Sequence, residues 1–240
     1  MSVQPHSSWA SVYDLAYHHS FGDFYTQLTD TTIAVIQERA RPPASIIDFG
    51  AGTGRLSIPL SQIGYEVTAV DSCQDMLNQL RQKILQEKIT TVCSRMEDYS
   101  GTRTFDVALC VFTVLLYLLD EDSLVRALRA AHSSLKAGGV LIIDIPREAI
   151  FRGYSTSDPM IERNVSVTRK GQTPLFQYRE DLVVKQANGE TLAFQDEFLI
   201  RYWTQSQVMK TLGEAGFVLV KNLSYEFSGA GSAYYLLEAK

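Results

Sequence analysis

Cysteine is scarce and poorly spaced in this chain of 240 residues. Cys73, Cys93 and Cys110 are odd in number and too far apart to supply a metal-ligand pair. Neither a disulfide framework nor a metal centre is therefore expected, and the thiols read as reduced and buried. Long apolar runs are also missing. The longest candidate, 107–119, is interrupted by Thr113 and Tyr117 and falls short of the roughly 20 residues that cross a bilayer. Residues 1–10, MSVQPHSSWA, have neither the basic start nor the apolar centre of a secretory signal, so the expected compartment is the cytoplasm. Basic residues are not in surplus: 22 Lys and Arg stand against 27 Asp and Glu, a net charge of −5. That balance argues against a large nucleic-acid footprint. Internal repeats and low-complexity tracts are absent as well. What is present, 45% hydrophobic and 20% charged residues, suits one globular domain over 1–240 with a sizeable core.

The N-terminal part, 1–43, is aromatic and helical in period. Trp9, Tyr13, Tyr17, Phe21, Phe24, Tyr25 and Leu28 recur at steps of three and four, with a break at Gly22 and a stop at Arg41-Pro42-Pro43. It can pack on the domain or fold over a pocket as a lid. Strands and helices then alternate. Short apolar runs are expected as strands at 46–48, 65–70, 90–93, 105–111 and 140–145, and helices at 56–63, 74–88 and 122–135. Ser72 and Asp75 match a capping pattern before the second helix. This alternation implies parallel strands joined by right-handed crossovers. The pattern changes at 152–203, where three strand-like runs (164–169, 176–185, 191–202) follow each other without a helix. Asn188-Gly189 carries the signal of a tight hairpin between the last two. This segment is an antiparallel insertion. A helix at 205–215 and two strands, 217–223 and 233–238, close the chain.

The segment IIDFGAGTGRLSIPL, 46–60, carries the chemistry. A carboxylate, Asp48, ends a buried strand, and Gly50, Gly52 and Gly54 follow at every second position. Such glycines let the backbone turn tightly and approach a ligand closely. A dinucleotide fingerprint would need its third glycine at position 55, where Arg55 stands. A pyrophosphate would want a helix N-terminus, whereas a carboxylate suits the ammonium of a methionine moiety. Asp71 ends the next strand, where α/β sheets place their ligand crevice and where a carboxylate can accept both hydroxyls of a ribose. Together these features favour S-adenosylmethionine as cofactor.

On D48-F-G-A-G-T-G54, V70-D71-S72 with Met76, F105-D-V-A-L-C110 and L135-K-A-G-G-V-L141, the sequence resembles the class I S-adenosylmethionine-dependent methyltransferases. The resemblance covers about 46–145. It implies an α/β, Rossmann-like seven-stranded sheet of order 3-2-1-4-5-7-6, its last strand antiparallel, here carrying an antiparallel β insertion after strand five. It also implies that Gly50, Ala51 and Gly52 line the methionine moiety, that Ser72 and Met76 lie by the adenosine, and that Val111 and Phe112 lie beneath the cofactor. After strand three the family usually has an acid for the adenine amine. Here Arg95 holds that place before Met96, so either Glu97 takes over or Arg95 stacks on the ring.

The acceptor is less legible. The small-molecule members, including those that N-methylate amino sugars, are similar in a Tyr-Asp pair, here Tyr13-Asp14, and in an insertion after strand five. The resemblance puts Tyr13 over the cofactor carboxylate and Tyr117 at a pocket position, as a general base or a wall. His18, His19, Arg147, Glu148 and Arg201–Trp203 are further candidates for the pocket. The expected function is methyl transfer to N or O of a small molecule, without metal, nucleic acid or membrane, by a monomer or homodimer. A non-catalytic cofactor-binding protein and a protein methyltransferase remain the alternatives.

Overall fold

The computed structural model describes residues 4–84, 88–186 and 188–240. A 3-10 turn, Ser7–Val12, leads into α1 (Tyr13–Phe21) and α2 (Asp23–Gln37), with Gly22 at φ 52° between them. The alternating unit runs β1 (Ser45–Phe49), α3 (Ser57–Gln62), β2 (Glu66–Asp71), α4 (Gln74–Lys83), β3 (Ile89–Cys93), β4 (Phe105–Cys110), α5 (Glu121–Ser134) and β5 (Leu135–Pro146). Next come β6 (Tyr154–Ser157), β7 (Ile161–Arg169), β8 (Leu175–Lys185) and β9 (Thr191–Arg201), then α6 (Gln205–Glu214), β10 (Phe217–Asn222) and β11 (Ser232–Ala239).

Seven strands form one sheet in the order β10-β11-β5-β4-β1-β2-β3. Numbered within this sheet alone, that is the expected 3-2-1-4-5-7-6 read from its other edge. The strand β11 runs antiparallel to both β5 and β10, and the other pairings are parallel. Successive residues of a strand face opposite sides, and β1 feeds both layers accordingly. Ile47 and Phe49 pack with α5 and α6, while Ile46 packs with α2 and α3. Each fully buried Ile or Leu in such layers contributes about 1.5–3 kcal/mol relative to exposure. On α5, Leu124, Ala127, Leu128 and Ala131 make the buried stripe, and Asp120 caps the helix by accepting the Ser123 amide at 2.7 Å.

The insertion is a separate four-stranded antiparallel sheet, β6-β7-β8-β9. Its first strand, β6, was not expected: Tyr154–Ser157 is four residues of polar and aromatic material without a clear apolar alternation. Trp9, Ala16, Ile161, Leu182 and Val184 form a small core joining the N-terminal segment to this sheet. Its centre is polar. Arg163 and Glu180 pair at 2.5 Å with both side chains fully buried, and the guanidinium lies 4.5 Å from the Tyr17 ring centroid.

Two local expectations need correcting. Helix α4 ends at Lys83 because Ile84 is extended, and 85–87 of the expected 74–88 helix lie outside the described residues. Ser72 does not cap it either. The Cys73 amide donates instead to Asp71 at 2.8 Å, and Asp75 accepts from Ser7.

Candidate active site

At the carboxyl end of β1 the chain turns through three glycines with positive φ, and two of them serve different ends. The amides of Gly50 and Ala51 both donate to the Val70 carbonyl, at 2.8 and 3.1 Å, which ties the turn to the end of β2. Gly50 has φ 73°, and a Cβ there would collide with Val114. The backbone can pass only because the side chain is missing.

Asp71 organises the next layer. One carboxylate oxygen accepts the Gly52 amide at 2.8 Å and the other accepts the Cys73 amide at 2.8 Å. An ionised carboxylate offers about four lone-pair sites, so two hydroxyls can still be accommodated. Burial pushes its pKa up against the two amide bonds that pull it down. Asp48 lies beneath the turn, 3% exposed, and accepts the Ser57 hydroxyl at 2.7 Å. Burial pushes its carboxyl up to about 6, with the Ser57 bond and the Arg55 charge opposing.

These groups open onto a cavity of about 580 Å³, within the range of roughly 300–1,000 Å³ usual for small-molecule sites. Of the residues singled out from sequence, it brings together Tyr13, Asp48, Gly50, Ala51, Gly52, Asp71, Ser72, Met76, Arg95, Met96, Val111, Phe112 and Tyr117. Gly54 is placed differently. It does not line the cavity. Its φ is +91° and a Cβ would stand 2.8 Å from Leu80 Cγ, so this glycine lets α3 and α4 pack rather than admitting a ligand. The Arg95 Nε donates to the buried Glu97 at 2.5 Å, and both residues line the cavity. His18 and His19 do not line it, and His19 meets Asp158 at the edge of the insertion. Arg147 and Glu148 stay outside. Arg201 donates to the Leu119 carbonyl at 2.9 Å, and Trp203 to those of Leu115 and Leu118, both at 3.1 Å. These two residues fasten the turn that carries Tyr117.

The loop after β4 is strained. Phe112 and Thr113 have φ of 69° and 70°, a region rarely used by residues with side chains. Asp144, at the end of β5 and fully buried, accepts the Thr113 amide at 2.9 Å and so holds the loop. Burial pushes its carboxyl up to about 6. The Phe112 ring is thereby presented to Arg55, whose guanidinium lies 4.7 Å from its centroid and donates to Thr29 at 2.9 Å.

Sequence reading missed the opposite wall. His6, from the N-terminal segment, and Glu197, Phe198 and Leu199, from β9, line the cavity with Tyr117. His6 Nε2 and the Tyr117 hydroxyl are 2.8 Å apart, and the His6 amide donates to Asp196 at 2.5 Å. Burial, helped by the Arg163 charge, lowers the His6 pKa to about 3, and burial above all keeps the Tyr117 phenol protonated. A lone histidine before a helical run has no local pattern to mark it; the separation of 111 positions between these partners explains the omission. Among the described residues no group of His, Cys, Asp and Glu could hold a metal ion, and no helix is long and apolar enough to cross a membrane.

Residues 46–139 match the family described as "Methyltransferase domain". A curated relative, the putative methyltransferase YqeM of Bacillus subtilis, is 29% identical over 142 residues, 58% of this chain and 55% of that protein. The dTDP-3-amino-3,4,6-trideoxy-alpha-D-glucopyranose N,N-dimethyltransferase of Streptomyces venezuelae is 24% identical over 135 residues, 56% of each. The chain spans about half the length of the curated relatives it matches. A solved S-adenosylmethionine-dependent methyltransferase from Clostridium acetobutylicum has the same fold, with a TM-score of 0.83 at 20% identity over 95% of this chain and 98% of that one. Residues 46–139 thus match a methyltransferase family model, and the chain as a whole shares the fold of that solved methyltransferase.

Proposed function

We propose that this chain is an S-adenosylmethionine-dependent methyltransferase that methylates nitrogen or oxygen of a small molecule. The observation that carries the reading is the joint between the glycine turn and Asp71. The Gly52 amide is bound to a carboxylate at the next strand end, and both open on one cavity. The residues present fit the cofactor. Asp71 retains lone pairs for ribose hydroxyls, Asp48 offers a carboxylate towards an ammonium, and Met76 and Met96 give apolar walls. When bound, the cofactor supplies a methyl group already activated by a positive sulfur, and the carbon–sulfur bonding pair stays on sulfur as the acceptor takes the methyl. The protein's part is to align the acceptor, and alignment supplies on the order of 7–11 kcal/mol.

The N-terminal segment acts as a lid in this reading. Asp14 accepts from Thr53 of the glycine turn and pairs with Lys83 of α4, while Ser8 donates to the Gln195 carbonyl of the insertion. The insertion covers the acceptor side, and the protein works on a dissolved acceptor in the cytoplasm, as a monomer or homodimer. The dimethyltransferase relative favours nitrogen over oxygen. Calorimetry with S-adenosylhomocysteine tests the reading. Saturable binding is expected, and a folded protein that shows none at millimolar ligand would defeat it.

A further inference from the structure

Resting on that reading, we propose that the acceptor is an amine on an apolar, non-anionic body, seated against Phe198 with its N–H on the Tyr117 oxygen. The wall facing the glycine turn is built from His6, Tyr13, Tyr117, Phe198 and Leu199. The rings of His6 and Phe198 meet edge-on at 5.2 Å, and those of Tyr117 and Phe198 lie 5.8 Å apart. Such a wall takes up apolar or aromatic surface by burial and edge contacts.

Charge sets the class. Among the described lining residues, the carboxylates Asp48, Asp71 and Glu97 belong to the cofactor end in this reading, and the wall of His6, Tyr13, Tyr117, Phe198 and Leu199 contains no lysine or arginine. The two guanidiniums that line the cavity elsewhere are both engaged: Arg95 on Glu97, and Arg55 over Phe112 and Tyr25 with a bond to Thr29. A diphosphate set against this wall would find only cations already engaged, whereas a neutral amine, having left its extra proton in solvent, needs none. The acceptor of this chain therefore differs from the nucleotide-linked sugar named for the Streptomyces relative.

The polar pair in the wall orients the nitrogen. His6 Nε2 is the only side-chain partner of the Tyr117 hydroxyl within the described residues, and whichever of the two donates, the phenol oxygen keeps a lone pair for an N–H of the acceptor. That contact aims the nitrogen lone pair away from Tyr117 and towards the glycine turn. His6 acts through Tyr117 and is a positioning residue.

The experiment is a pair of calorimetric titrations of the full chain saturated with S-adenosylhomocysteine, one with 2-phenylethylamine and one with thymidine diphosphate. The amine is expected to bind at least about tenfold more tightly. Tyr117→Phe, and separately Phe198→Ala, should each weaken it by about tenfold while leaving the affinity for S-adenosylhomocysteine within about twofold. Thymidine diphosphate binding as tightly as the amine, an amine affinity unmoved by both substitutions, or no amine binding to the saturated protein would each overturn the proposal. A wild-type chain that fails to bind S-adenosylhomocysteine would instead remove the cofactor reading beneath it.

Discussion

The carboxylate of Asp71 accepts the amide of Gly52 at 2.8 Å, across 19 positions of sequence. The end of one strand thereby holds the turn that follows its neighbour. Asp71→Ala removes that bond, the bond to the Cys73 amide, and the acceptor proposed for ribose hydroxyls. The affinity for S-adenosylhomocysteine is expected to fall by about 1.5–3 kcal/mol, the worth of a charge-assisted bond. Isothermal titration reads it directly, and an unchanged affinity would take Asp71 out of the site.

The two glycines Gly52 and Gly54 should separate in their effects. Gly54→Ala places a methyl 2.8 Å from Leu80 at φ +91°, and a side chain in that conformation alone costs about 1–2 kcal/mol. Urea denaturation should show a loss of at least that size, with cofactor affinity retained in the folded fraction. Gly52→Ala, at a residue that lines the cavity, should weaken S-adenosylhomocysteine at least about tenfold. Equal loss of affinity in both variants would restore Gly54 to the binding turn.

Arg163 and Glu180 form a fully buried pair beneath Trp9 and Tyr17. Removing one partner strands a charge, which costs about 3–5 kcal/mol. Glu180→Ala should therefore destabilise strongly, and the double change Arg163→Met with Glu180→Leu should recover most of the loss. Chemical denaturation of the parent and the two variants checks this. A double variant no more stable than the single one would show that the pair contributes beyond charge compensation.

Stability should also fall as pH rises through a defined window. Burial lifts both Asp48 and Asp144 from 3.8 to about 6. Between those values the folded protein holds protons that the unfolded chain has released, so unfolding releases protons and stability declines with rising pH. Above about pH 6 these two groups add no further slope. Asp144→Asn keeps an oxygen for the Thr113 amide and removes one titration. Its stability curve between about pH 4 and pH 6 should be flatter than that of the parent, and a slope equal to the parent's would show that Asp144 does not titrate there.

Much of the sheet was legible because each strand announces itself locally. Ile46 and Ile47, or Val107 to Leu109, are buried on both faces and so form continuous apolar runs. The polar, four-residue β6 carries no such mark and was missed. Spacing cannot tell a glycine that admits a ligand, as expected of Gly54, from one that admits a leucine. That difference lies in Leu80 of α4, on another element.

The chain's own sequence determined the sheet, the glycine turn and the acid at the next strand end. These depend on interactions between near neighbours or on a single βαβ unit, where backbone conformation and hydrophobic period dictate the geometry. Only the tertiary structure decided the cavity wall that holds Tyr117. His6 and Tyr117 meet from opposite sides of the glycine turn, and Phe198 arrives from a separate sheet. Contacts between such distant segments are selected by how whole surfaces pack, and no spacing within the chain encodes them.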